Sequence, residues 1–284
     1  MKTISFYNIK GGVAKTTSTL AFAQILHNDY GKRVLVFDID KQANSTKTLG
    51  CYDADGLSSA DLLVSKKNIV RDVIKHSEYG IDVIPANYNL IKANKDVLYD
   101  ALRPQQTRFK AQLEEVQNDY DYCIIDHSIE DNMAVVNGLV ITDDVLVPIK
   151  FDRYGLDGME YALETIESVK VFNPNIQLKG CFLTMYVRSN LYKQGEISLK
   201  DALGLKFLKT TISQTVKVGE STFDKPLLSY APKCKAADDY KKLVAEYLSL
   251  DQIAGGNYLW LLNLILFLIP KLFLRQMIHI KYNT

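Results

Sequence analysis

The chain has 284 residues, enough for one large domain or two small ones with a self-sufficient core. Apolar residues make up 47% of it and charged residues 24%, the proportions of an ordinary soluble globular protein. The formal charge of +1 excludes a globally basic, DNA-coating protein but leaves room for a local basic patch.

The N-terminus, MKTISFYN, has no apolar signal core, so a cytoplasmic protein is expected. TISFYN (3–8) reads as a first strand, followed by a glycine-containing loop and a helix from about Thr16 to Tyr30 that Gly31 closes. RVLVFD (33–38) is a continuous apolar run, as expected for a strand buried on both faces. IDVIPA (81–86), YCIID (122–126), DVLVPI (144–149) and KGCFLTMY (179–186) follow as strands, and LKFLKTTI (205–212) is one more candidate. Helical stretches lie between most of them, chiefly 104–118, 155–171 and 234–249. The alternation predicts an α/β fold, a doubly wound and mostly parallel sheet flanked by helices, with ligands at the carboxyl ends of the strands. No internal repeat or linker divides residues 1–249, and an apolar extension follows over 250–284. Cys51, Cys123, Cys181 and Cys234 are scattered without a C-x-x-C pair, which argues against zinc or redox chemistry and for buried free thiols.

Three motifs fall at three strand ends. The first is KGGVAKTT (10–17), between a strand and a helix, the context of a phosphate-binding loop. It lacks the glycines of the common G-x-x-x-x-G-K-[ST] pattern, having Ile9 and Ala14 there, and carries Gly11, Gly12 and a second lysine, Lys10. The loop backbone from Gly11 through Val13 and Ala14 can turn N–H groups toward phosphate oxygens, and the helix N-terminus adds partial positive charge. Lys15 reaches the β- and γ-phosphates, the Thr16 hydroxyl can ligate Mg²⁺, and Thr17 adds a second hydroxyl. Ala14 is tolerable in place of glycine as long as its φ stays negative. The second motif, VLVFDIDKQANST (34–46), sets Asp38 and Asp40 at and just past a strand end, where a carboxylate can hold a metal's waters or orient an attacking water. An acidic Asx turn explains that motif equally well. The third, YDYCIIDHSIE, ends an apolar strand on Asp126, the position of a carboxylate that holds Mg²⁺ through water.

Taken in order, these motifs resemble the ParA family of deviant Walker ATPases, of the ParA/MinD superfamily, and place the chain among P-loop NTPase-type folds. KGGVAKTT meets the family loop K-G-G-x-x-K-[ST], and DIDKQAN meets D-x-D-P-Q-x-N except that Lys41 replaces the proline. Resemblance continues through 137–159, 183–190 and 215–240. It implies a slow, partner-stimulated ATPase with ATP and Mg²⁺ as cofactors. Lys15 would lie on the β/γ-phosphates, Thr16 on the metal, Asp126 at the Walker B position, and Asp40 as the hydrolytic aspartate that also reaches the metal through water. Lys10 matches the signature lysine that crosses a dimer interface to the partner subunit's nucleotide. Such a cation acts as an arginine finger does, an effect of about 10³–10⁵ in rate for true fingers. The family's x-Pro-Pro after Asp126 is His127-Ser128-Ile129 here, so the second switch turn is altered; His127 is read as a neutral neighbour of the nucleotide rather than a general base.

The resemblance further implies an ATP-bound homodimer that binds nonspecific DNA on the nucleoid and is released by a ParB-like centromere-binding adaptor. From Lys206 to Lys242 there are eight lysines against four acids, a surplus of four that suits a phosphate-tracking patch. Lys217, Lys225, Lys233 and Lys235 are the candidate DNA contacts, although the family's Pro-Arg before this segment is Ser213-Gln214 here. A MinD-like membrane regulator is the alternative, supported only by the apolar run 258–274, which falls short of about 20 clean spanning residues. A nucleotide-dependent interaction switch in replication control is a second alternative. An iron–sulfur reductase is disfavoured, because no cysteine follows Asp126 in a cluster-ligating context.

Overall fold

The structure, a computed structural model, describes residues 1–250. Seven strands form one sheet in the order β3-β4-β2-β5-β1-β6-β7. They are β1 (Lys2–Phe6), β2 (Val34–Asp38), β3 (Lys75–His76), β4 (Asp82–Ile84), β5 (Tyr122–Asp126), β6 (Asp144–Lys150) and β7 (Gln177–Thr184). All pairings are parallel except β3–β4, a short antiparallel edge absent from the sequence reading. β2 is buried at every position, and β1 and β5 at all but their first, because helices cover both faces.

One face carries α1 (Lys15–Asn28) and α12 (Lys235–Leu250), whose Phe22, Tyr240 and Tyr247 pack with Ile4, Val36, Ile124 and Phe182 of the strands. The other carries α3 (Ser59–Val64), α5 (Leu90–Tyr99), α6 (Arg108–Glu114), α7 (Met133–Val140) and α8 (Arg153–Val169). The 14-residue α9 (Asn190–Leu203) and short α2 (Asn44–Thr48), α4 (Val70–Val73), α10 (Val216–Ser221) and α11 (Leu227–Tyr230) are the remaining α-helices of the described residues. Strand residues alternate between the two cores, Leu146 to one and Val145 and Val147 to the other, as the period-two pleat requires.

Helix α1 ends as its sequence suggests. Gly31 takes φ 63° and its N–H donates to His27 O, the bond of a left-handed αL stop, while the Lys32 N–H donates to Leu26 O. The candidate strand 205–212 is corrected. A 3₁₀ turn at Gly204–Lys206 opens it, and isolated bridges, Cys181 to Phe207 and, just past both elements, Tyr186 to Ser213, stand in place of a continuous ladder. Leu208 N–H donates to Cys181 O and Ile212 N–H to Leu183 O, but between them the Glu246 carboxylate of α12 takes the Lys209 and Thr210 N–H groups at 2.7 and 2.9 Å. Cys51, Cys123 and Cys181 are buried free thiols, and Cys234 is half-buried. Among the described residues no helix is long and apolar enough to cross a membrane. The extension beyond α12, with the run 258–274, lies outside the described residues.

Candidate active site

Parallel register brings the three motifs level. Phe6 pairs with Asp126, and Asp126 with Asp38, so β1, β5 and β2 end in one row and their following loops share one crevice. From β1 the chain enters the phosphate loop. The Asn8 side chain braces it, accepting from Lys10 N at 2.8 Å and donating to Pro148 O at 2.9 Å. Gly12 takes φ 70°, as a glycine there allows. Ala14 takes φ 69°, which corrects the expectation of a negative value: the loop uses a left-handed N-cap before Lys15 despite the Cβ. Thr184 at the end of β7 donates to Val13 O at 3.2 Å and ties the loop to the far side of the sheet.

Lys15 is buried, and its ammonium donates to Lys10 O at 3.1 Å, curling back over the loop. Burial lowers its pKa, while the charges of Asp126 and Asp40 act the other way. Asp126 is buried; its Oδ2 accepts from Ser45 Oγ at 2.6 Å and its Oδ1 has no hydrogen-bond partner. Burial raises its pKa, while the Ser45 and Thr16 hydroxyls beside it pull the other way. Asp38 stands next to it in the sheet, also buried and also raised, by burial first and then by the charge of Asp126. Two adjacent buried carboxylates, one with a vacant oxygen facing the Thr16 neighbourhood, fit a hydrated Mg²⁺ beside the phosphate loop.

Asp38 has a role that the motif reading left open. Its Oδ2 accepts from the Thr46 N–H and hydroxyl at 3.0 and 2.7 Å, and its Oδ1 from Asp40 N at 3.0 Å. It therefore shapes the turn that presents Asp40. Asp40 is half-exposed at the mouth of the crevice, and its Oδ1 caps the Gln42 N–H at 2.8 Å. The structure thus brings Lys15, Thr16, Asp126 and Asp40 to one crevice. Ser45, Thr46 and Thr184 were missed by sequence reading; the Ser-Thr pair five residues beyond Asp40 was a signal for the first two, and Thr184 had none beyond its strand-end position.

Lys10 is elsewhere. Its ammonium lies 4.9 Å from the ring centroid of the exposed Tyr154, in the first turn of α8, rather than over its own chain's phosphate space. His127 is buried in the core, with Nε2 2.8 Å from Ser5 Oγ and its ring edge-on to Tyr7, and the Lys15 charge reaches it there. Burial pushes its pKa down to about 3, so it is neutral.

A cavity of about 700 Å³ opens past the end of β7, lined by Tyr186, Val187, Arg188, Ser213, Gln214 and Asp239. Chain neighbours of its walls reach the phosphate loop and α1: Thr184, two residues before Tyr186, donates to Val13 O, and Tyr240, next to Asp239 in α12, bonds Ser18 of α1 at 2.9 Å. Of the candidate DNA lysines, Lys217 pairs with Glu220 at 2.7 Å, Lys225 with Asp224 at 3.9 Å, and Lys235 with Asp239 at 2.6 Å, while Lys233 is exposed. These pairs are largely on the surface, where exchange of a carboxylate for a phosphate costs little.

Comparison with known proteins decides the family. The profile of the AAA domain family AAA_31 matches residues 1–178. Over 250 residues the chain is 35% identical to the sporulation initiation inhibitor protein Soj of Bacillus subtilis (strain 168), covering 86% of this chain and 97% of Soj. The chain belongs to the ParA family of ATPases. It is also 31% identical, over 256 residues, to the chromosome partitioning protein ParA of Caulobacter vibrioides, covering 89% of this chain and 96% of that one. Among solved structures, cobyrinic acid a,c-diamide synthase from Mycobacterium smegmatis, with bound ATP analogue and magnesium, superposes with a TM-score of 0.75 at 27% identity, covering 89% of this chain and 96% of that chain. The ParA-family relation covers the phosphate loop, both aspartate motifs and the lysine-rich segment.

Proposed function

We propose that this ParA-family ATPase is a DNA-partition switch, which dimerises on Mg-ATP, binds DNA nonspecifically, and is released when an adaptor stimulates hydrolysis. The observation that carries the proposal is the convergence of Lys15, Thr16, Asp126 and Asp40 on one crevice, in a chain similar to partition proteins over most of its length. ATP with Mg²⁺ is the cofactor. Lys15 and the loop N–H groups hold the phosphates, Thr16 and Asp126 hold the ion, and the ion when bound neutralises charge on the phosphate oxygens. Asp40 orients the attacking water. We assign the nucleoside to the cavity past β7.

Lys10 completes the reading. Its backbone is fixed by Asn8 but its ammonium rests on the exposed ring of Tyr154, a contact of about 0.5–1 kcal/mol that a partner's phosphate can outcompete. ATP then belongs to the dimer's interface, and dimerisation reports nucleotide state. The lysine surplus over 206–242 supplies the DNA contacts, in the cytoplasm and on the nucleoid.

A gel-shift on random-sequence DNA with ATP, ADP or no nucleotide, across a salt series, tests the proposal. Binding only with ATP, weakening steeply with salt, is expected. Absent or nucleotide-independent binding contradicts it.

A further inference from the structure

A residue at which the sequence leaves the family pattern meets, in space, the residue that follows a second departure. Lys41 stands where D-x-D-P-Q-x-N has proline, and Glu130 follows the His127-Ser128-Ile129 that replaces x-Pro-Pro. Their side chains form an ion pair, Lys41 Nζ to Glu130 Oε1. A proline at 41 offers no such group.

The pair joins the two loops that flank the crevice. On one side is the turn from β2 to α2, which carries Asp40 and closes on itself through Ala43 N to Asp40 O at 2.8 Å. On the other is the segment after Asp126, which crosses the phosphate loop: Ile129 side-chain carbons lie 3.9 Å from where a side chain on Gly11 would begin. Glu130 is held in that segment, its N–H donating to Ser128 Oγ at 3.1 Å and its Oε2 accepting from Asn132 Nδ2 at 3.4 Å. The loops are already joined from inside by Ser45 to Asp126. Lys41–Glu130 fastens them from outside, one residue from Asp40.

Both partners are part-exposed, at 31% and 44%, so the pair adds little to folding. It is suited instead to a contact that breaks and reforms as the loops move. We infer that Lys41 and Glu130 are positioning residues for hydrolysis, fastening the Asp40 turn to the segment that covers the phosphate loop so that the Asp40 carboxylate meets the attacking water. The pair exchanges no proton. The reaction remains attack of water on the γ-phosphorus with cleavage of its bond to the ADP oxygen. This rests on the hydrolytic reading above.

Basal phosphate release by the full chain under saturating Mg-ATP tests it, with binding of a fluorescent ATP analogue measured separately. Lys41→Glu and Glu130→Lys, each setting like charges together, should lower kcat about two- to fivefold while KM and analogue affinity stay within roughly twofold. The reversed pair, Lys41→Glu with Glu130→Lys, should regain roughly half or more of the wild-type kcat. Recovery on reversal is a result that mere loss of a surface residue does not give. Unchanged or raised kcat in both single variants, or a double variant no faster than the slower single one, overturns the inference alone. A wild-type chain that binds the analogue and releases no phosphate overturns the hydrolytic reading with it.

Discussion

His127 follows the strand-terminal Asp126, yet successive side chains on a strand point to opposite faces, and its imidazole turns toward α7. The hydrogen bonds there fix its tautomer. Thr142 Oγ1 donates to Gly138 O at 2.7 Å, so the Ser5 hydroxyl donates to Thr142 and accepts from His127 Nε2–H, leaving Nδ1 as the bare nitrogen. A histidine that is neutral when folded and titrates near 6.5 when unfolded gives stability that is complete above about pH 6.5 and lost as pH falls toward its folded value of about 3. Asp38 and Asp126, with raised pKa values, act in the opposite direction, so the variant comparison isolates His127. In nucleotide-free protein, lowering pH from 6.5 to 5 should cost the wild type roughly 1.5–2 kcal/mol more unfolding free energy than it costs His127→Gln. Denaturant melts at the two pH values would show this as converging stabilities; parallel losses contradict a buried neutral His127. At this scale Lys15, Thr16, Asp40 and Asp126 were legible in the sequence, because loop spacing and strand-end position fix where they stand. Asp38's role was not. It depends on Thr46 and Asp40 N–H groups that only the folded turn delivers.

Among the elements, α8 supports both the phosphate loop and the segment after Asp126. Tyr154 lies under the Lys10 ammonium, and Tyr161, two turns on, donates to Asp131 Oδ2 at 3.3 Å. Between them Gly158 lets the helix come close. A Cβ there would fall 2.6 Å from Asn8 Oδ1 and 3.0 Å from Lys10 Cβ. Asn8 is buried and bonded on both sides, so it cannot swing away cheaply. Gly158→Ala should therefore displace the loop and weaken Mg-ATP binding by roughly tenfold, the effect of about 1.4 kcal/mol. Titration with a fluorescent analogue checks it, and unchanged affinity means that β1 alone sets the loop. The bounds of α8 were close to their sequence reading because its apolar face is strongly periodic. The expected helix 104–118 shortens to Arg108–Glu114, because Asn137 Oδ1 takes the Arg108 N–H at its start and Val116 N turns back to Leu113 O at its end. Helix α9, the β3 edge and the interception of 205–212 by Glu246 were not legible. A two-residue edge strand and a long-range side-chain bond leave no signal along the chain.

For the whole molecule, alternation of apolar runs with helical stretches was enough to give a parallel sheet with its site at the carboxyl ends, because crossover connections leave few other arrangements. Charge balance was less informative. The surplus in 206–242 is real, yet three of its four candidate contacts carry carboxylate partners within the chain, so their availability to DNA is a matter of exchange. The central claim is that the crevice is used by two subunits, with Lys10 leaving Tyr154 to meet the partner's nucleotide. Light scattering on the Asp40→Ala protein, in which the proposed role of Asp40 predicts blocked turnover, tests it most directly when Lys10→Ala is added in the same background. With Mg-ATP, Asp40→Ala should have the mass of two chains, and the Lys10→Ala, Asp40→Ala protein should bind ATP with the mass of one. A two-chain mass in the double variant, or in Asp40→Ala with ADP alone, would contradict it.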